Sequence, residues 1–153
     1  MANVRAVPEG MHTVTPHLVV KNGAEAIDFY KKAFGAIEES RALTPDGRVM
    51  HAEIKVGDSI VFLSDEFPEM GSKGPAPGQS PVSLHVYVEN VDDVFNRAVS
   101  AGASVRMPLM DAFWGDRYGQ IIDPSGHTWA LATHKEDVSP EEMERRSKAF
   151  QQR

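Results

Sequence analysis

The residue types best suited to chemistry in this chain are histidines set on strand-like runs. His17 heads "HLVV" and His85 sits within "VSLHVYV", each among alternating β-branched residues and each followed by an acidic helical segment that closes on a glycine. They lie a little under half the chain apart, so the sequence reads as two copies of one unit. In "RVMHAEIKV", His51 and Glu53 share one face with Lys55, opposite Ala52, Ile54 and Val56. An imidazole serves as a base near neutral pH without a large pKa shift, whereas Glu53 needs burial to do the same. Imidazole and carboxylate are also the donors that divalent zinc takes. In "FWGDRYGQ", Arg117 offers a fork for a carboxylate or phosphonate, and Trp114 offers a flap beside it. A plainer reading of that stretch pairs Asp116 with Arg117 at the surface and packs Trp114 on the linker. There is no cysteine, no glycine-rich phosphate loop, no nucleophile elbow and no HExxH helix.

The elements that must carry these residues are legible from periodicity. "AEAIDFYKKAFG" has Ala26, Ile27, Tyr30, Ala33 and Phe34 at helical spacing with Gly35 just beyond, which predicts a helix after the first strand. A short strand near Glu38 to Leu43, a turn at Pro45, Asp46 and Gly47, the strand bearing His51, a "GD" turn and "SIVFLSD" complete a βαβββ order. The second copy repeats it: "VSLHVYV", a helix with Val91, Val94, Phe95 and Ala98 inward, the irregular "SVRMPLMDA" with Pro108, then "DRYGQIID", "PSG" and "HTWALATH". The expected boundaries are 13–65 for the first module, 66–81 for a linker rich in proline and glycine, 82–134 for the second module and 135–153 for a helical tail. Ser139 is the expected N-cap of that tail helix and Pro140 its first residue.

Composition narrows the partners. The chain has 153 residues, 41% hydrophobic and 25% charged, with a formal charge of −6. No basic block exists, so neither nucleic acid nor an anionic membrane surface is an expected partner. No apolar run approaches the roughly 20 residues of a membrane span, and the start lacks a signal-peptide core. A cytoplasmic protein is the expectation.

Taken in order, "AIDFYKKAFGA" in the first unit and "IIDPSGHTWAL" closing the second resemble the glyoxalase, bleomycin-resistance and extradiol-dioxygenase superfamily, the vicinal oxygen chelate fold. The likeness covers about residues 13–134 and is nearest the PhnB-like branch. It implies an α+β fold in which two βαβββ modules curl their sheets around a central cavity. It also implies four metal-ligand positions, which fall here on Thr15, Phe62, Ser83 and Ala130. Phenylalanine and alanine offer no donor, and neutral hydroxyls are poor ligands, so the usual metal site is expected to be lost.

His17 and His85 each stand two residues past one of those positions, roughly 7 Å further along the same strand face. By that parity Tyr87 and Arg117 are expected to face the cavity as well. Three readings stay open. His17, His85 and Glu53 could form a displaced zinc-like site. The pocket could instead be metal-free and take a polar small molecule. Or the histidines could simply bond their surroundings. The candidate catalytic residues are His17, His85 and Glu53, and the candidate ligand contacts are His51, Tyr87, Trp114, Arg117, Thr15, Ser83 and Phe62. The resemblance implies either a lyase or isomerase acting next to a carbonyl, or a protein that sequesters an antibiotic or metabolite without turnover. It also implies a homodimer. Trp129 is expected beneath the sheet and His127 in a turn, with His12 and His134 exposed.

Overall fold

A computed structural model of the chain describes residues 3–153. Its elements follow the order β1 (His17–Val20), α1 (Gly23–Phe34), β2 (Ile37–Leu43), β3 (Val49–Val56), β4 (Ser59–Asp65), a 3-10 turn (Pro68–Met70), β5 (Ser83–Tyr87), α2 (Val91–Ser100), β6 (Ser104–Asp111), β7 (Asp116–Ile122), β8 (Thr128–His134) and α3 (Pro140–Gln151). The chain divides into two compact units that meet at Gly74 and Pro75, inside the expected linker. The fold is α+β, with one four-stranded mixed sheet in each unit.

The first unit has strand order β1-β4-β3-β2, with β1 parallel to β4 and the other pairs antiparallel. Helix α1 starts at Asn22, whose side chain accepts from the Glu25 amide, and stops at Gly35 in the left-handed region at φ 65°. It buries Ala26, Ile27, Phe29, Tyr30 and Ala33 on the sheet face made by Leu18, Ala52, Ile54, Val61 and Leu63. Its entry is fixed by Asp65, a buried carboxylate at the end of β4 that accepts from the Gly23 amide at 2.8 Å and the Val49 amide at 2.6 Å. A β-carbon on Gly23 would lie 2.6 Å from the Val49 side chain, so only glycine fits there.

The second unit repeats the pattern as β5-β8-β7-β6. Asn90 caps α2 through the Asp93 amide, and Val91, Val94, Phe95 and Ala98 go inward. At the position in β8 that corresponds to Asp65, Thr133 takes the first helical amide, from Val91 at 2.8 Å. Gly119 lets α2 lie close, since a β-carbon there would meet the Phe95 ring at 2.9 Å. The pairing of β6 with β7 slips between Val105 and Met107 and again before Met110, around Pro108, which cannot donate to a ladder. Trp129 is 1% exposed beneath the sheet and donates to Asp123, which also takes the Ser125 and His127 amides of the "PSG" turn. Ser139 caps α3, and that helix rests on its own unit, with Phe150 against Phe113 at 5.4 Å and Arg146 bonded to Glu136 and the Phe113 carbonyl. Among the described residues no helix is long and apolar enough to cross a membrane.

Candidate functional site

In each unit one sheet face is covered by its helix and the other carries most of the strand residues singled out above. In the first unit that face brings together His17 on β1, Phe62 on β4 and His51 on β3. Register pairs His17 with Phe62, and the ring centres lie 6.3 Å apart for that pair, 4.8 Å for His51 and Phe62, and 5.9 Å for the two histidines. Beneath them, buried Ser64 places its hydroxyl 3.1 Å from His17 Nε2. Desolvation, and then the charge of nearby His51, push His17 below the ordinary imidazole range, so its neutral, basic form is favoured. Glu53 lies 3.7 Å from His51 and lines a groove of about 600 Å³ with Glu9, His12, Glu39, Lys55 and Asp58. Thr15 lies just ahead of β1 and is half-buried.

The second unit builds a wall of rings. His85 on β5 and Tyr118 on β7 flank β8, whose Ala130 and Ala132 raise only methyl groups between them. The two rings therefore meet across the strand, stacked at 25° with centres 5.7 Å apart. Tyr87 lies 5.0 Å from His85, and Trp114 lies edge-on to Tyr118 at 5.4 Å. Ser83 is exposed at the start of the same strand as His85. Behind the rings sits Asp116, only 3% exposed. Its Oδ2 accepts from the Tyr87 hydroxyl at 2.9 Å and the Trp114 indole at 3.1 Å, and its Oδ1 stands 2.8 Å from His134 Nδ1. Burial alone would raise the Asp116 carboxyl, but hydrogen bonds from His134, Tyr87 and Trp114 outweigh it and hold the group below the usual carboxylate range. The bond to Asp116 in turn pushes the Tyr87 phenol up. These contacts fix Tyr87, which is 62% exposed, and the half-buried Trp114.

Arg117 corrects the sequence expectation. Strand parity puts Asp116, Tyr118 and Gln120 on the ring face and Arg117 on the helix face, where its guanidinium pairs with Asp92 at the start of α2 and reaches Asp111. Those pairs raise its pKa further, and it does not join the ring face. The expected Asp116–Arg117 ion pair is likewise replaced, with Asp116 going to His134 and Arg117 to Asp92. His134 is exposed as expected, and it is also held at both ring nitrogens. Sequence reasoning passed over Asp116, Tyr118, His134 and Ser64. The alternation of "DRYGQ" carries the signal that would have placed the first two, had Gly119 been read as the point of helix contact.

The metal positions implied by the fold do not suit an ion. Phe62 is packed among imidazoles, Ala130 is buried under the rings, and Thr15 and Ser83 bring only neutral hydroxyls. Among the described residues, neither unit by itself gathers three His, Asp or Glu side chains able to hold a metal.

Comparison with known proteins agrees with this architecture. A family model for the Glyoxalase/Bleomycin resistance protein/Dioxygenase superfamily matches residues 10–131, and the chain belongs to that superfamily. An uncharacterized protein of Mycobacterium bovis is 44% identical over 135 residues, covering 86% of this chain and 89% of that protein. Among solved structures, TioX from Micromonospora sp. ML1 is 28% identical with a TM-score of 0.65, covering 81% of this chain and 99% of its own. PA1353 from Pseudomonas aeruginosa is 25% identical with a TM-score of 0.67, covering 82% of this chain and all of its own.

Proposed function

We propose that this is a metal-independent small-molecule-binding protein of the superfamily, in its PhnB-like branch, and that it works as a homodimer. The observation that carries the reading is the ring wall of the second unit. His85 and Tyr87 are exposed, Tyr118 and Trp114 are half-buried beside them, and the buried Asp116 carboxylate holds Tyr87 and Trp114 in place. Open but immobilised aromatic area is what a ligand site needs, because a bound molecule then gains contact without ordering loose side chains. A likeness in fold to the PhnB protein from Bacillus cereus supports the branch at the level of architecture.

A second reading adds chemistry to the first unit. His17 is favoured as a neutral imidazole and has Ser64 at its Nε2, which suits it to take a proton from a carbon next to a carbonyl. His85 and Glu53 are the alternative bases. Turnover by this route makes the protein a lyase or isomerase of glyoxalase type.

The test uses the full chain purified without chelator. Thermal shift and tryptophan fluorescence across a panel of aromatic and oxo-acid metabolites find the ligand, and proton NMR in D2O finds any exchange next to a carbonyl. Stoichiometric binding lost in Tyr87→Ala and Trp114→Ala, with no exchange and no retained metal, supports the binding reading. Exchange abolished by His17→Ala selects the second reading. Stoichiometric zinc in the active protein would overturn metal independence.

A further inference from the structure

The geometry around His134 points to a proton-operated latch: we propose that its imidazolium form ties the segment after β8 to the ring wall of the second unit, and that loss of the proton loosens the tie. Both ring nitrogens face carboxylate oxygens, Nδ1 at 2.8 Å from Asp116 Oδ1 and Nε2 at 2.7 Å from Asp137 Oδ1. A neutral imidazole carries one N–H and one lone pair, so it can donate to only one of these; the other contact would set a lone pair against a carboxylate. Only the imidazolium donates to both.

The charged groups that face the ring come from two directions, Asp116 from β7 and Asp137 from its own segment. Tyr87 from β5 and Trp114 from the loop before β7 reach the same Asp116 carboxylate. Neighbouring charges are engaged elsewhere: Glu136 pairs with Arg146 of α3, and Lys135 acts on Asp92. The bonds to Asp137 and Asp116 also push His134 above the ordinary imidazole range. On deprotonation, the N–H stays with Asp116, which is 3% exposed, and fully exposed Asp137 turns to solvent. The segment then keeps its amide bonds from Lys135 and Glu136 to the Gly115 carbonyl but loses its charged tie. Asp116 at the same time loses an adjacent positive charge, and the indole that bonds it registers the change. No ligand is needed for this, so a failure to find one leaves the latch untouched.

The test is NMR of the full chain, labelled with 15N, between about pH 5.5 and 9, the range over which a raised imidazole titrates. Below the midpoint both His134 ring nitrogens should show imidazolium shifts, and that midpoint should lie above the ordinary value. The Trp114 indole N–H should move with that midpoint, while that of buried Trp129 should not. In His134→Gln, whose amide keeps a donor for Asp116, the Trp114 titration should vanish; in Asp137→Asn the His134 midpoint should fall. A His134 midpoint at or below the ordinary imidazole value, a Trp114 titration that survives His134→Gln, or a midpoint unmoved in Asp137→Asn would each overturn the latch.

Discussion

Asp116 carries more of the second unit than any charged residue near it, because one buried carboxylate satisfies a phenol, an indole and an imidazole. Replacing it with alanine leaves those donors without their shared acceptor, and a loss of about 3 kcal/mol in urea unfolding is expected. Tyr87→Phe removes one bond at a solvent-open ring and is expected to cost about 1 kcal/mol or less. The proton dependence has a definite sign. His134 has a folded pKa above its ordinary value of 6.5, so its contribution to stability is complete below that value and fades as pH rises through the raised one. The stability gap between wild type and His134→Gln should therefore be widest in mild acid and close in alkali, as chemical unfolding at a series of pH values would show. His17 runs the other way. Its folded pKa is lowered, so the stability linked to its neutral form is present above 6.5 and lost as pH falls through the folded value.

At the scale of elements, both helices enter through a polar residue on the last strand of their own unit, Asp65 for α1 and Thr133 for α2. Asp65→Ala strips a buried acceptor from two amides, and Gly23→Ala forces a methyl into Val49; each is expected to cost about 2 kcal/mol or more by thermal or urea unfolding. The elements with an unbroken period were the most legible in the sequence, Ala52, Ile54 and Val56 against His51, Glu53 and Lys55 in β3, or Val91, Val94, Phe95 and Ala98 in α2. By contrast, β6 was read as irregular because of Pro108, and the 3-10 turn at Pro68–Met70 was not read at all. The site was legible only in part. His17, His51, His85 and Tyr87 were placed by parity and Phe62 by the resemblance, and all lie on the open sheet faces. Parity misplaced Arg117, since its face depended on where β7 begins, and one residue of slip carries a side chain through the sheet. Asp116 and His134 were invisible for another reason. Their importance comes from a contact between β7 and the end of β8 that no periodicity encodes.

At the scale of the whole molecule, the unresolved demand is apolar surface. Strand β2 lies at the edge of its sheet and leaves Ile37 at 61% and Leu43 at 54% exposed, with Met50 on β3 also open. An uncovered strand edge with apolar side chains invites another strand, and a closed two-fold contact is the commonest way to satisfy it. The helical tail is the other segment that could serve this task, but Phe150 rests on Phe113 of its own unit and Arg146 ties α3 to Glu136. Truncation after His134 is therefore expected to lower the stability of the second unit more than it weakens association. Light scattering at micromolar concentration is expected to report about twice the chain mass, for wild type and truncated chain alike. The double variant Ile37→Lys and Leu43→Lys changes only exposed positions, so its circular dichroism should match wild type while its mass falls to that of one chain. A wild type that is monomeric across this range would reject the dimer. A variant that stays dimeric would move the contact away from β2, and a truncation that alone produces monomers would return it to α3.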